Sequence, residues 1–364
     1  MRLVVKIGTN LLTEKTGSLN EKLIGSITKD LAKLKKAGAE IVIVTSGSIG
    51  AGMGKLKIHK RPNSLREKQA LAAIGQPLLM DIYQEKLGSL GIDIAQVLLT
   101  RHDFHEREQY INARDTLFSL LELGVIPIVN ENDTVAIEEI NFGDNDTLSA
   151  LVAATISADY LFMLTDVDGL HKGAPGKGEL LSTVEKITSE IENHATDKSE
   201  SGKGTGGMKT KISAAKIAIS SGVKTVIAKG TESNIISRIV NGEQIGTTFV
   251  PSKAMCARKS WIAFGPKCKG KISIDDGAVK ALTEKGKSLL PSGITSVNGK
   301  FGVGDTISIV DSKHKEIARG LTYYSSKDIE KMKGKKSEEI KKILPHHNFE
   351  EIVHRDNLVT LNNC

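Results

Sequence analysis

Residues 39–54 read AEIVIVTSGSIGAGMG, and this stretch decides the fold. Four β-branched residues in a row, Ile41 to Val44, have no polar alternation, as in a strand covered on both faces. The run breaks at Thr45-Ser46-Gly47 and passes into a glycine-bearing segment that opens a helix. The same sequence of events recurs through the first 250 residues. Apolar runs at 3–7, 41–45, 92–99, 125–129, 160–165 and 225–228 alternate with helical stretches at 19–37, 64–87, 146–156 and 209–221. Strand, turn and helix in repetition predict an α/β domain: a three-layer sandwich around a mainly parallel sheet with right-handed crossovers.

Beyond Pro251 the texture changes. KGKISID, LLPSGITSVNG, DTISIV and ARGLTYY are short runs broken by glycine, which predict a small β-rich module. The expected organisation is a catalytic α/β domain at 1–252, a linker at 253–267, the β-rich domain at 268–345 and a tail at 346–364. With 364 residues the chain exceeds the usual span of one domain.

Composition excludes several classes. The chain is 39% hydrophobic and 26% charged, the profile of a globular protein rather than a disordered one. No run approaches the roughly 18 apolar residues of a membrane span, and the N-terminus enters a strand without a leader pattern, so a cytoplasmic protein is expected. Cys256, Cys268 and Cys364 form no C-x-x-C pair and predict reduced thiols. The nine histidines show no metal-ligand spacing, against a zinc hydrolase. Residues 1–250 carry a net charge of −1 and residues 251–364 one of +8. The basic excess is that of a solvated face or of a nucleic-acid contact, and charge alone does not choose between them.

The chemistry-bearing residues sit where α/β sheets bind ligands, at the carboxyl ends of strands. Lys6 lies inside an apolar strand, where a lysine requires an anionic partner unless it reaches water along an edge. Ser46 and Gly47 open a glycine-rich turn that suits a phosphate or carboxylate, or is simply tight. Asn130, Glu131, Asn132 and Asp133 follow another strand, and Asp144, Asn145 and Asp146 start the helix after it; capping explains one or two of these, not the set. Thr165-Asp166-Val167-Asp168-Gly169 ends a strand either as an ordinary turn or as an orienting carboxylate. Residues 201–211 contain G-x-G-x-x-G at Gly202, Gly204 and Gly207, but after a polar loop rather than a strand, which argues against a dinucleotide site. G-x-x-x-x-G-K-[ST] is missing too. What remains is a glycine loop delivering Lys209 and Lys211 to a helix mouth, suited to covering phosphates.

Together VVKIGTNLL (4–12), VTSGSIGAG (44–52), VNENDTV (129–135), FGDNDTLSALVA (142–153), LTDVDGL (164–170), GTGGMKTK (204–211) and ARGLTYYSS (318–326) resemble the amino-acid kinase family, in its glutamate-phosphorylating branch with a C-terminal PUA domain. The resemblance implies transfer of the ATP γ-phosphoryl group, with Mg2+ held mainly by the phosphates, to the side-chain carboxylate of L-glutamate, the first step toward proline. It implies Lys6 and Lys211 on either side of the transferred group, Asp166 organising them, and Gly8, Thr165, Asp166, Thr205, Gly206, Gly207, Met208, Lys209, Thr210 and Lys211 around ATP. Ser46, Gly47, Asn130, Asp133 and Asn145 would bind glutamate, with Asp144 and Asp146 close by. Asn141 stands where the family usually carries a basic residue. Proline as feedback inhibitor, a homodimer or homotetramer and RNA contact through the PUA module are further implications. Kinases for N-acetylglutamate, aspartate, carbamate or UMP, or an RNA-binding protein with a non-catalytic kinase domain, are the alternatives.

Overall fold

The computed structural model describes residues 1–14, 18–136, 145–173, 178–194, 207–251, 257–264, 266–335 and 349–361. The chain divides into two compact units, Met1–Ala254 and Met255–Cys364.

In the first unit the order is β1 (Arg2–Ile7), α1 (Thr9–Leu12), α2 (Glu21–Lys36), β2 (Glu40–Val44), α3 (Ser48–Lys55), α4 (Leu65–Gly88), β3 (Ile94–Leu99), α5 (Arg107–Glu122), β4 (Ile126–Glu131), α6 (Asn145–Thr155), β5 (Tyr160–Thr165), β6 (Thr183–Val184), α7 (Ser189–Asn193), α8 (Met208–Ser220), β7 (Lys224–Lys229), α9 (Ile235–Val240) and β8 (Thr247–Phe249). The eight strands run β3-β4-β2-β1-β5-β7-β8-β6. Every described pairing is parallel except β7 with β8. The chain builds the β2 side first and then crosses to the β5 side of β1, so the carboxyl end of β1 is a topological switch point, where such sheets open a crevice.

Alternation along β1 assigns its two faces. Leu3, Val5 and Ile7 join Ile24, Ile27, Leu31 and Leu34 of α2, Leu79 and Tyr83 of α4 and Ile235 of α9 in one buried cluster. Val4 and Lys6 point to the opposite face, where α6 packs on β1 and on α8. The buried carboxylate of Asp30 accepts the backbone N–H groups of Ile236 and Ser237 at 3.0 and 3.3 Å, tying α2 to the start of α9.

The expected run at 92–99 is shorter, and β3 lies at the sheet edge with largely half-buried side chains rather than covered on both faces. β4 extends past Val129 to Glu131, which places Asn130 inside the strand end.

The second unit holds α10 (Ala257–Phe264), β9 (Gly270–Ile274), α11 (Asp276–Thr283), β10 (Ile294–Gly299), β11 (Thr306–Val310), β12 (Glu316–Leu321), α12 (Ser326–Met332) and β13 (Leu358–Thr360), with strand order β10-β9-β11-β12-β13. Two expectations change. Within 253–267, read as linker, residues 257–264 form α10, whose Ile262 and Ala263 are buried with Leu321 and Val359. Within 346–364, read as tail, Ile352, Val353 and Leu358 lie in the core and β13 pairs with β12. A three-residue strand after a lysine-rich run carries too little apolar period to be seen in sequence.

Candidate active site

Two clusters meet at the first residues of α6. The first is charged. Lys6 Nζ lies 2.6 Å from one oxygen of Asp146 and Lys211 Nζ lies 3.3 Å from the other. All three side chains are buried, with 8%, 7% and 1% of their surface exposed. Thr210 Oγ1 donates to Asp146 at 2.7 Å. Burial alone pushes a carboxyl up, yet the charges of Lys6 and Lys211, with hydrogen bonds from Lys6 and Thr210, hold Asp146 far below the ordinary carboxylate range. Lys211 is pushed down by burial and by Lys6, with Asp146 opposing. Two cations thus share one anion in a dry site, and the surplus positive charge calls for an anionic ligand.

Backbone placement completes the anion site. Lys211 and Thr210 sit in the first turn of α8, a 13-residue helix whose N-cap Gly207 offers no side-chain acceptor, and the helix N-terminus adds a partial positive charge beside the two lysines. Gly8 stands beside Lys6: a Cβ there would lie 3.2 Å from Leu164 O and 3.8 Å from Lys6 Nζ.

Asp166 acts on Lys211 only through its charge, without an ion pair to either lysine among the described contacts. Its exposed carboxylate accepts from Asn10 Nδ2 at 2.9 Å and from Thr165 Oγ1 at 3.0 Å, at the mouth of the crevice. The carboxylate between the lysines is Asp146, which the sequence reading had placed near the amino acid. Asp168 closes a local turn with His171 at 2.7 Å. Thr205, Gly206, Asp144 and Asn141, with Gly202 and Gly204, lie outside the described residues; Met208 and Lys209 open α8.

The second cluster is neutral apart from one carboxylate. Asn145 Nδ2 donates to Thr45 O at 2.9 Å, Ser46 Oγ at 2.8 Å and Asn130 Oδ1 at 3.1 Å. Its Oδ1 is buried and accepts from no described residue. Asp133, buried, accepts from Ser48 Oγ at 2.9 Å. Burial raises the Asp133 carboxyl above its ordinary value, with Ser48 and the Arg61 charge opposing. Thr45 Oγ1 hydrogen-bonds the fully buried Tyr83 hydroxyl at 2.9 Å.

The glycines of the 44–54 segment serve packing more than ligand approach. Gly47 has φ +97° and starts α3, a conformation that L side chains rarely adopt. Gly52 and Gly75 allow α3 and α4 to touch: a Cβ on Gly75 would lie 1.8 Å from Ser48 O, and one on Gly52 2.0 Å from Leu71 O. This crossing fixes Ser48 against Asp133 and presents Gln76, whose Oε1 accepts from Asn130 Nδ2 at 2.8 Å. Ser48 and Gln76 were not among the expected residues. A polar residue on the buried face of α4 was the available signal.

Comparison with known proteins follows this geometry. The model of the amino acid kinase family matches residues 1–229, and that of the PUA domain matches residues 270–344. A protein named glutamate 5-kinase from Thermoanaerobacter sp. strain X514 is 50% identical over 365 residues, covering 99% of this chain and 98% of its own. One of the same name from Moorella thermoacetica is 49% identical over 364 residues, covering 99% and 96%. Among solved structures, a UMP kinase from Bacillus anthracis aligns with 15% identity and a TM-score of 0.47, covering 70% of this chain and 97% of that one.

Proposed function

From the premise that the chain belongs to the amino acid kinase family, among the glutamate 5-kinases, we propose that it transfers the γ-phosphoryl group of ATP to the side-chain carboxylate of L-glutamate. The observation that carries this is the buried Lys6–Asp146–Lys211 arrangement beside the acceptor oxygen of Asn145. A glutamate side chain, with an unperturbed pKa of about 4.3, is ionised at neutral pH and needs no general base. One of its oxygens forms the new O–P bond while the bond from the γ-phosphorus to the bridging oxygen breaks, and ADP leaves with that electron pair. The products are γ-glutamyl phosphate and ADP.

The protein's task is to bring two anions together and to spread the charge of the transferring group. Lys6 and Lys211 supply the charge, the N-terminus of α8 adds its partial positive charge, and Asp146 holds both ammonium groups together. At the other end, Asp133 and the buried Oδ1 of Asn145, which no described residue pairs, would offer an anion and an acceptor to the α-ammonium group of a free amino acid. Among the described residues no three His, Cys, Asp or Glu side chains converge as a metal site, and Asp146 is taken up by the lysines. Mg2+ would enter with the nucleotide substrate, on the phosphates, and would neutralise charge there. Asp166, Thr165 and Gly8 border the nucleotide side of the crevice.

The test is ATP turnover with Mg2+ and L-glutamate, trapping the acyl phosphate with hydroxylamine as the hydroxamate. Hydroxamate with glutamate, and none with N-acetylglutamate, aspartate, carbamate or UMP as acceptor, supports the reading; preference for another acceptor overturns it. Proline added to the same assay tests whether it competes for the amino-acid site, and sizing with and without ligands tests the expected homodimer or homotetramer.

For the second unit the reading is RNA contact. Support comes from the basic excess of residues 251–364 and from the PUA-domain match over residues 270–344. Binding of single-stranded RNA that weakens steeply with salt supports it; no binding at low salt overturns it.

A further inference from the structure

The neutral cluster at Asn145 continues into a line of amides that the reaction itself does not use. Asn145 Nδ2 donates to Asn130 Oδ1, Asn130 Nδ2 to Gln76 Oε1 at 2.8 Å, and Gln76 Nε2 to Gln96 Oε1 at 2.9 Å. Every link points the same way, from the site toward the edge strand β3. Asn145, Asn130 and Gln76 are buried, whereas Gln96 is exposed.

An amide side chain has a donor end and an acceptor end, and either fits the same space. What fixes its sense is its neighbours. Two backbone groups anchor the line at the site: the Thr45 carbonyl requires a donor and receives Asn145 Nδ2, and the Glu131 N–H requires an acceptor and finds Asn130 Oδ1 at 2.9 Å. With Asn130 so oriented, its Nδ2 needs an acceptor, and Gln76 is the residue that presents one. Without that acceptor Asn130 keeps a buried donor unpaired or turns over, and turning over sets its Nδ2 against Asn145 Nδ2 and the Glu131 N–H. Asn145 then loses one of the three acceptors, Thr45 O, Ser46 Oγ and Asn130 Oδ1, that together fix the sense of its amide.

We propose that Gln76, seconded by Gln96, is a positioning residue that sets the sense of the amide line, so that Asn145 offers an oxygen and not an NH2 group to the substrate, and thereby selects an amino acid with a free ammonium group. The proposal rests on the reading of Asn145 and Asp133 as the amino-acid end of a glutamate kinase. The helix crossing supports it: Gly75, packed against Ser48 O, fixes the α4 backbone immediately beside Gln76. The same crossing therefore sets Ser48 for Asp133 and Gln76 for Asn130.

The experiment compares kcat and both KM values for the full-length wild type, Gln76→Leu, Gln76→Glu and Gln96→Ala. Glu at position 76 keeps the acceptor for Asn130 and loses only the donor toward Gln96; Leu loses both. The expected result is a KM for glutamate raised about ten-fold in Gln76→Leu, with the KM for ATP and kcat within about three-fold of wild type. Gln76→Glu returns the glutamate KM to within about three-fold, and Gln96→Ala, at the solvent end, raises it by less than Gln76→Leu. A Gln76→Leu chain with unaltered glutamate KM, or equal losses in Leu and Glu, overturns the proposal. So does a parallel rise of both KM values, which is the signature of general loosening. Should Gln76→Leu not fold, Gln76→Glu and Gln96→Ala decide: a rise in glutamate KM for Gln96→Ala with the ATP KM unmoved supports the line, and no rise in either variant sinks it. A wild-type chain that turns over no glutamate removes the functional reading and this inference together, whereas turnover with an indifferent Gln76→Leu removes this inference alone.

Discussion

The two halves of the site meet between adjacent residues, Asn145 and Asp146, and solve opposite problems. On the Asp146 side, two lysines and one carboxylate leave an excess of charge out of water. On the Asn145 side, amides, hydroxyls and one hydroxyl-paired carboxylate hold almost no charge but a strict order of donors and acceptors. The difference follows from the ligands. A migrating phosphoryl group is a diffuse anion that any well-placed cation stabilises, whereas a small zwitterion is distinguished from its acylated or truncated analogues by which donor meets which acceptor. Charge provides rate at one end, and hydrogen-bond polarity provides choice at the other.

The sharpest way to break this comparison is on the charged side. Lys6→Ala and Lys211→Ala are each expected to lower kcat by roughly 10²–10³-fold, the usual cost of one preorganised donor, with the glutamate KM changed far less. A near-normal kcat in Lys6→Ala would end the phosphoryl-transfer reading. Asp146→Asn has a more particular signature. Lys211 is already pushed down by burial, and the Asp146 carboxylate opposes that. Without the carboxylate Lys211 loses its proton at lower pH, so the variant should lose activity as pH rises, ahead of the wild type. A kcat–pH profile with an unmoved basic limb would show that Asp146 does not hold the lysine charged. Next in size is Gly75→Ala. Its Cβ collides with the backbone of Ser48, so a loss of about 1–3 kcal/mol in chemical denaturation is expected, with the glutamate KM rising more than the ATP KM because the crossing carries Ser48 and Gln76.

The two halves were also unequally legible. A lysine inside the run Leu3-Val4-Val5-Lys6-Ile7 is conspicuous because burial of an unpaired ammonium is so costly, and Lys211 at a helix mouth is nearly as plain. Asp146 was visible but misplaced. Asp144, Asn145 and Asp146 are alike in type, and only the start of α6 decides which of them turns toward the lysines; Asp166, at an equally suitable strand end, turns toward Asn10. Gln76 left only a weak signal, because a glutamine in a long helix without a clear apolar stripe reads as solvated until the α3–α4 crossing shows which face is closed. Likewise β6, β8 and β13, of two or three residues, are too short for a period-two pattern. Long apolar runs declare themselves, and polar residues whose role depends on a neighbour distant in sequence do not.

The smallest expected effect separates the halves by pH without any mutation. Asp133 is raised by burial and Asp146 is lowered by its lysines, so as pH falls the two carboxylates take up protons in that order. Protonating Asp133 removes the anion that faces the ammonium group, which weakens glutamate binding while Lys6, Asp146 and Lys211 keep their charges. The sign for stability agrees. Asp133 prefers its neutral form in the fold, so its ionisation costs stability at neutral pH and that cost is relieved on the acid side; Asp146 stabilises the fold above the ordinary carboxylate pKa and ceases to do so only in strong acid. Steady-state assays taken downward from neutral pH should therefore show the glutamate KM beginning to rise above the ordinary carboxylate range, before kcat declines. Asp133→Asn should show a high glutamate KM that no longer varies over that window. If kcat falls first, or if Asp133→Asn keeps the wild-type pH dependence, the acid limb belongs to the phosphate end, and the division between a charged half for rate and a polar half for choice does not hold.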